Sequence, residues 1–161
     1  MNVEKALSEA HLDYKEHKQF FEKLKRKKPG DLDDVVQEIH EEVFEYTNCM
    51  KCANCCKTTS PIFSDRDVDR IAKHLKIKPS ELIEKHLHLA EDNDYVLNIA
   101  PCTFLDEDNS CTIYEHRPTA CREYPHTNRK RFYQLMDLTL RNTLICPAAA
   151  EITGKLKSYY K

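Results

Sequence analysis

The sequence predicts a mainly α fold: an α-rich α+β domain with a small β-hairpin, organised around cysteine-ligated metal. Three observations carry that expectation. Long stretches place apolar residues at three-and-four spacing. Only two glycines and no low-complexity linker interrupt the 161 residues. Eight cysteines are present, four of them packed together as Cys49, Cys52, Cys55 and Cys56. A chain of this length suits a single domain over 1–161 and can bury a core without disulfide staples. Within it, an N-terminal helical hairpin is expected over 1–47 and a cysteine-cluster metal-binding region over 49–149.

Residues 3–27 read as one amphipathic helix, with Val3, Leu7, Ala10, Tyr14, Phe21 and Leu24 near helical spacing. Pro29 and Gly30 end it. Asp31 is a good N-cap for a second helix that carries Leu32, Val35, Val36, Ile39, Val43 and Phe44. The first helix closes on a basic run, 23–28, and the second opens on Asp31, Asp33 and Asp34, which suits both macrodipoles and lets the two helices pair. Further on, Ser64 and Asp67 form a capping-box pattern before a short helix, and 79–89 reads as another. Residues 95–99 read as a strand. Residues 102–105 and 111–114 read as hairpin arms across the turn-rich 106–110, which would bring Cys102 and Cys111 close. Arg117 and Pro118 open a short helix with Cys121 one turn in, 129–141 is helical, and Cys146 and Pro147 precede a last helix ending near Tyr159.

Charged residues make up 32% of the chain but the net charge is only -2, so no bulk attraction to nucleic acid or an anionic membrane is implied. The basic run at 23–28 is followed at once by acids and holds no aromatic residue for stacking, so it reads as a solvated helix end and nucleic acid is disfavoured as a partner. No apolar stretch approaches the roughly 18 residues of a membrane span, and the N-terminus lacks a basic start followed by an apolar core. The expected location is the cytoplasm, with no membrane partner. Disulfides are rare in that reducing compartment.

Thiolates two residues apart can share one metal ion, and the CxxCxxCC cluster converges its sulfurs either through tight bends or on one face of a helix with steps of about 100° per residue. Neighbouring Cys55 and Cys56 cannot easily ligate the ion held by Cys49 and Cys52, so one of the pair is free for a second centre. Any single cysteine could be a buried small apolar residue, but Lys51, Asn54 and Lys57 interleave polar groups that do not resemble a core. Cys102, Cys111, Cys121 and Cys146 must be brought in by the tertiary fold. Zinc and a four-iron cluster each take four thiolates. The CxxCxxC spacing with a distant Cys-Pro matches part of a ferredoxin pattern, yet the usual fourth cysteine three residues on is missing. Lys51, Lys57, Arg117 and Arg122 can offset thiolate charge or form ordinary surface links. His116 and His126 are candidate ligands or ligand supports, with packing as the alternative; Tyr114 and Tyr124 divide the same way. His86 and His88 alternate on a helix and do not face one way.

Four motifs in order, CxxCxxCC at 49–56, Pro-Cys-Thr-Phe-Leu at 101–105, Cys-Thr-Ile-Tyr-Glu-His-Arg-Pro-Thr-Ala-Cys-Arg-Glu-Tyr-Pro at 111–125 and Cys-Pro at 146–147, resemble the YkgJ-like CxxCxxCC cysteine-cluster family, described as a zinc- or iron-chelating domain. The resemblance spans about residues 49–149. It implies Cys49, Cys52, Cys55, Cys56, Cys102, Cys111, Cys121 and Cys146 as metal ligands, and a structural or site-supporting role for Arg117 and Arg122. The expected function is a cytoplasmic metal-binding protein holding zinc or an iron-sulfur centre. The alternatives are a redox enzyme using an iron-sulfur cluster and a structural-zinc module whose N-terminal helices dock a protein partner. An all-cysteine donor set closes the coordination sphere, and no GxSxG, HExxH or phosphate loop is present, so an enzyme is the weaker expectation.

Overall fold

The apolar periodicities of the sequence become helices in the computed structural model of the chain, which describes residues 2–161. In chain order these are α1 (Val3–Lys27), α2 (Leu32–Tyr46), α3 (Cys49–Cys52), α4 (Asn54–Thr58), α5 (Asp65–Leu75), α6 (Pro79–His86), β1 (Leu87–Leu89), β2 (Tyr95–Leu97), α7 (Thr119–Glu123), α8 (Met136–Asn142) and α9 (Pro147–Tyr159). Single 3-10 turns cover Tyr114–His116 and Phe132–Gln134. The fold is mainly helical with one small antiparallel hairpin. Two compact units make it up: a helical unit of Met1–Asn48 with Pro125–Lys161, and a cysteine unit of Cys49–Tyr124.

In the helical unit, Asn2 caps α1 by accepting from the Lys5 N–H at 3.0 Å. At its other end Lys28 turns left-handed and its N–H returns to the Leu24 carbonyl, with Pro29 barring continuation. Asp31 occupies the N-cap position of α2 as expected, but its carboxylate does not cap. It accepts instead from the Tyr160 hydroxyl at 2.9 Å. Asp33 has the longer reach, taking the N–H groups of Arg131 and Phe132 at 2.7 and 2.9 Å. That capture, with Arg131 left-handed at φ 60°, splits the helix expected over 129–141 into a 3-10 turn and α8. α1 and α2 each pack against α9, which begins on Pro147 with Cys146 at its N-cap. Phe21, Leu24, Val36, Val43, Phe132, Met136, Ile152 and Leu156 form the core. Each such side chain, fully buried, contributes about 1.5–3 kcal/mol relative to exposure.

The cysteine unit is built from shorter pieces around Phe63, Val68, Ile71, Leu82, Leu87, Leu97, Phe104 and Ile113. Ser64 and Asp67 form the expected capping box of α5. Residues 87–89, expected as the tail of a helix, are a strand. Leu87 pairs with Leu97 and Leu89 with Tyr95, and this pairing buries Leu87 and Leu97, which outweighs the local helical pattern. The hairpin expected between 102–105 and 111–114 reduces to a single bridge, Leu105 to Cys111. The second arm passes at once into the 3-10 turn at Tyr114–His116, which leaves no length for a ladder. Among the described residues, no helix is long and apolar enough to cross a membrane.

Candidate metal centre

The CxxCxxCC segment is neither one helix nor a simple bend. Ala53, buried and left-handed at φ 48°, separates α3 from α4. An alanine in that conformation costs about 1–2 kcal/mol. Its N–H still closes α3 on the Cys49 carbonyl at 2.7 Å, and its carbonyl accepts from Lys57 at 3.0 Å to start α4. Cys49 and Cys52 therefore ride on one turn and Cys55 and Cys56 on another. From there the Cys56 carbonyl accepts the N–H of Cys102 at 2.8 Å, which ties the cluster to the downstream cysteines. The turn after Cys102 closes by Leu105 N–H to the Cys102 carbonyl at 3.0 Å, and the Leu105–Cys111 bridge draws Cys111 beside it. Cys121 sits on α7, its N–H bonded to the Pro118 carbonyl at 2.9 Å.

Electrostatics show how these thiols are grouped. Burial pushes the Cys121 thiol up to about 12, and the charges of Cys56, Cys102 and Cys111 push the same way. Cys49 is raised by burial and by Cys52 and Cys56, and Cys111 by burial and by Cys56. Cys102 is raised by burial and by Cys56 and Cys111, against the N–H of Phe104, which points at its Sγ from 3.5 Å. Cys56 is the exception. The thiol of Cys55 hydrogen-bonds to it and, with a backbone N–H and nearby Lys57, lowers it despite its burial. Cys49, Cys52, Cys56, Cys102, Cys111 and Cys121 thus share one field, and Cys56 recurs throughout it.

Besides Lys57 at Cys56, the field contains Arg117, which favours ionisation of Cys49, Cys111 and Cys121. Its guanidinium lies 3.9 Å over the Tyr114 ring and donates to the Tyr114 carbonyl at 2.5 Å. Arg122 braces the same turn, donating to the carbonyls of Arg117 and Glu115 at 3.3 and 2.9 Å.

Among the described residues, no three His, Cys, Asp or Glu side chains are closed into a set able to hold an ion as they stand. The thiols lie within reach of one another's charge. The donor chemistry nevertheless fits a soft cation. Clustered thiols that disfavour one another's ionisation suit a bound cation, since a coordinating thiol is deprotonated outright. Zinc and iron both suit it.

Cys146 belongs to the helical unit, half-buried against that unit's core. Cys55 is half-buried on α4, hydrogen-bonded to Cys56. His116 stacks its ring on His74 at 4.2 Å, and His126 lies in the helical unit. His86 packs on Phe104, and His88 faces Asn98. None of the eight cysteines forms a disulfide.

Two residues near the thiols had no role in the sequence reading beyond a local cap. Asp67, 2% exposed, accepts from the Ser64 N–H (3.0 Å), the Ser64 hydroxyl (2.7 Å), Arg70 (2.6 Å), the Thr119 N–H (3.1 Å) and the Thr119 hydroxyl (3.2 Å). Burial alone would raise its carboxyl, but the bonds from Arg70, Ser64 and Thr119 prevail and bring it to about 2. Arg70 also donates to the carbonyls of His116 and Arg117 at 3.3 and 2.9 Å. Ser64-x-x-Asp67 signals the local box, whereas nothing in the sequence points to Thr119, 52 residues away.

Compared with protein families, residues 48–139 match the model described as "CxxCxxCC: Putative zinc- or iron-chelating domain". The match covers more than half of the chain and contains every cysteine except Cys146. No curated protein and no solved structure matches the chain.

Proposed function

The chain belongs to the CxxCxxCC family of zinc- or iron-chelating domains, and from that premise we propose that it is a cytoplasmic metal-binding protein whose cysteine unit is the holder. Cys49, Cys52, Cys56, Cys102, Cys111 and Cys121 supply the thiolates. Cys55 supports Cys56, and Cys146 stands in the helical unit. The observation that carries this is the 2.8 Å bond from the Cys102 N–H to the Cys56 carbonyl. It joins the cluster to a segment remote in sequence, and the Leu105–Cys111 bridge adds the next cysteine. Six thiols form a surplus over the four that one zinc ion or one cluster needs, so sharing of thiolates between two ions is within the donor count.

An all-thiol set leaves no open position for substrate, which favours a structural, storage or delivery role over catalysis. An electron-carrying centre is the second possibility, and the Phe104 N–H aimed at the Cys102 sulfur supports it, since such bonds tune iron-sulfur potentials. Elemental analysis of anaerobically purified protein separates the cases. Stoichiometric zinc in colourless protein identifies a zinc centre, and a brown protein whose broad visible absorption bleaches on reduction identifies iron and sulfur. Neither metal, with every thiol freely titratable in folded protein, would contradict the proposal.

A further inference from the structure

We propose that Asp67 is a positioning residue of the thiol centre: a single buried carboxylate caps both α5 and α7, and through α7 it fixes where Cys121 and Arg117 stand. The role of Cys121 as a ligand rests on the metal-binding function proposed above.

α7 is five residues long, and its N-cap is Pro118, which offers no side chain to accept the orphan N–H groups of the first turn. Asp67 supplies the missing acceptor from across the unit, taking both the N–H and the hydroxyl of Thr119 on Oδ1. Its other oxygen, Oδ2, completes the capping box of α5 with Ser64. The negative charge also lies at the positive end of α7. Arg70 closes the arrangement. It pairs with Asp67 at 2.6 Å and donates to the carbonyls of His116 and Arg117, so the stretch from His116 to Thr119 is gripped at both ends. Arg117 lies inside this grip, and Cys121 comes two residues after Thr119. Their place beside the other thiols is therefore set by α5, which contributes no thiol of its own.

A purely structural role would be felt wherever α5 is weakened; a positioning role is felt at Cys121. Two substitutions in the full chain separate them. Ser64→Ala damages the α5 cap and leaves the Asp67–Thr119 bonds in place. Asp67→Asn replaces the anion by an amide and weakens the hold on α7. Zinc affinity, read by competition with a chromophoric chelator, is expected to fall about ten- to hundredfold in Asp67→Asn, the usual range for groups that orient ligands, and to stay at the wild-type value in Ser64→Ala. In metal-free protein, alkylation mapped by mass spectrometry should accelerate at Cys121 in Asp67→Asn, with Cys49, Cys102 and Cys111 unchanged. If Asp67→Asn does not fold, Thr119→Pro serves: proline suits a first helical position after an extended residue and removes both donors to Asp67. Equal zinc affinity in wild type and Asp67→Asn, equal losses in Ser64→Ala, or a reactivity gain spread evenly over the four cysteines would each overturn the proposal. A wild-type protein that holds no zinc or iron would remove the metal-binding function instead, and the alkylation pattern at Cys121 then decides this proposal alone.

Discussion

The helical unit and the cysteine unit solve the problem of stability differently. The first has helices of 25, 15 and 13 residues whose apolar stripes meet in one core. Its cohesion comes from burial, and its ion pairs, such as Lys157 with Glu16 and Lys155 with Glu42, lie at the surface. The second has one helix of 11 residues, one of 8, and otherwise elements of three to five. Helices that short do not persist on local propensity. They are held by a smaller core, by the pair of buried Asp67 with half-exposed Arg70 and by chain segments that meet at cysteines. A long amphipathic helix stabilises itself by packing, whereas a set of short elements gains most from a many-armed cross-link, which is what a thiolate-bound metal provides.

Removing metal gives the largest contrast. Structural zinc in small peptides is worth about 10–16 kcal/mol at neutral pH, so a chelator should raise amide exchange throughout residues 49–124 while α1, α2 and α9 stay protected. Exchange rising equally in both units would break the distinction. Core truncations come next. Leu82→Ala and Leu156→Ala should each cost about 2–5 kcal/mol, seen as a lower denaturation midpoint of the unit that carries the change. Only Leu82→Ala should also weaken metal retention, because binding there is linked to folding of that unit.

Acid should act on the two units in different ranges. In the helical unit, burial foremost lowers the basicity of His17 and His40, so the fold disfavours their charged forms. That stability is present above their unfolded value of about 6.5 and is lost as pH falls below it. Asp67 in the cysteine unit has a depressed carboxyl, so its contribution is present above about 4 and is lost as pH falls towards about 2. Two-dimensional NMR of metal-free protein should show amides around His17 and His40 changing first and the Thr119 amide changing only below pH 4. The smallest effect is expected from Lys157→Ala, which removes the half-exposed partner of exposed Glu16 and should leave the thermal midpoint nearly unchanged.

Legibility in the sequence follows the same division. α1, α2 and α9 are plain from apolar spacing, and Pro147 falls at the first position of its helix as expected. These features depend on residues three or four apart. In the cysteine unit only the Ser64–Asp67 box is equally local. The strand at Leu87–Leu89 owes its form to partners at 95–97, and the expected ladder between the Cys102 and Cys111 segments is a single bridge. The break at Ala53 has no glycine or asparagine to announce it. The cysteines themselves are obvious, but their grouping is not: Cys56 shares a field with Cys49, Cys102, Cys111 and Cys121.

The most direct test is the metal content of Cys56→Ser beside that of the wild-type chain, both prepared anaerobically, with circular dichroism to monitor helix content. Stoichiometric zinc or iron in the wild type, its loss in Cys56→Ser and retention of most of the helical signal are the predicted results. A wild-type chain that carries neither metal, or a Cys56→Ser chain that keeps its full complement, would contradict a centre built around Cys56.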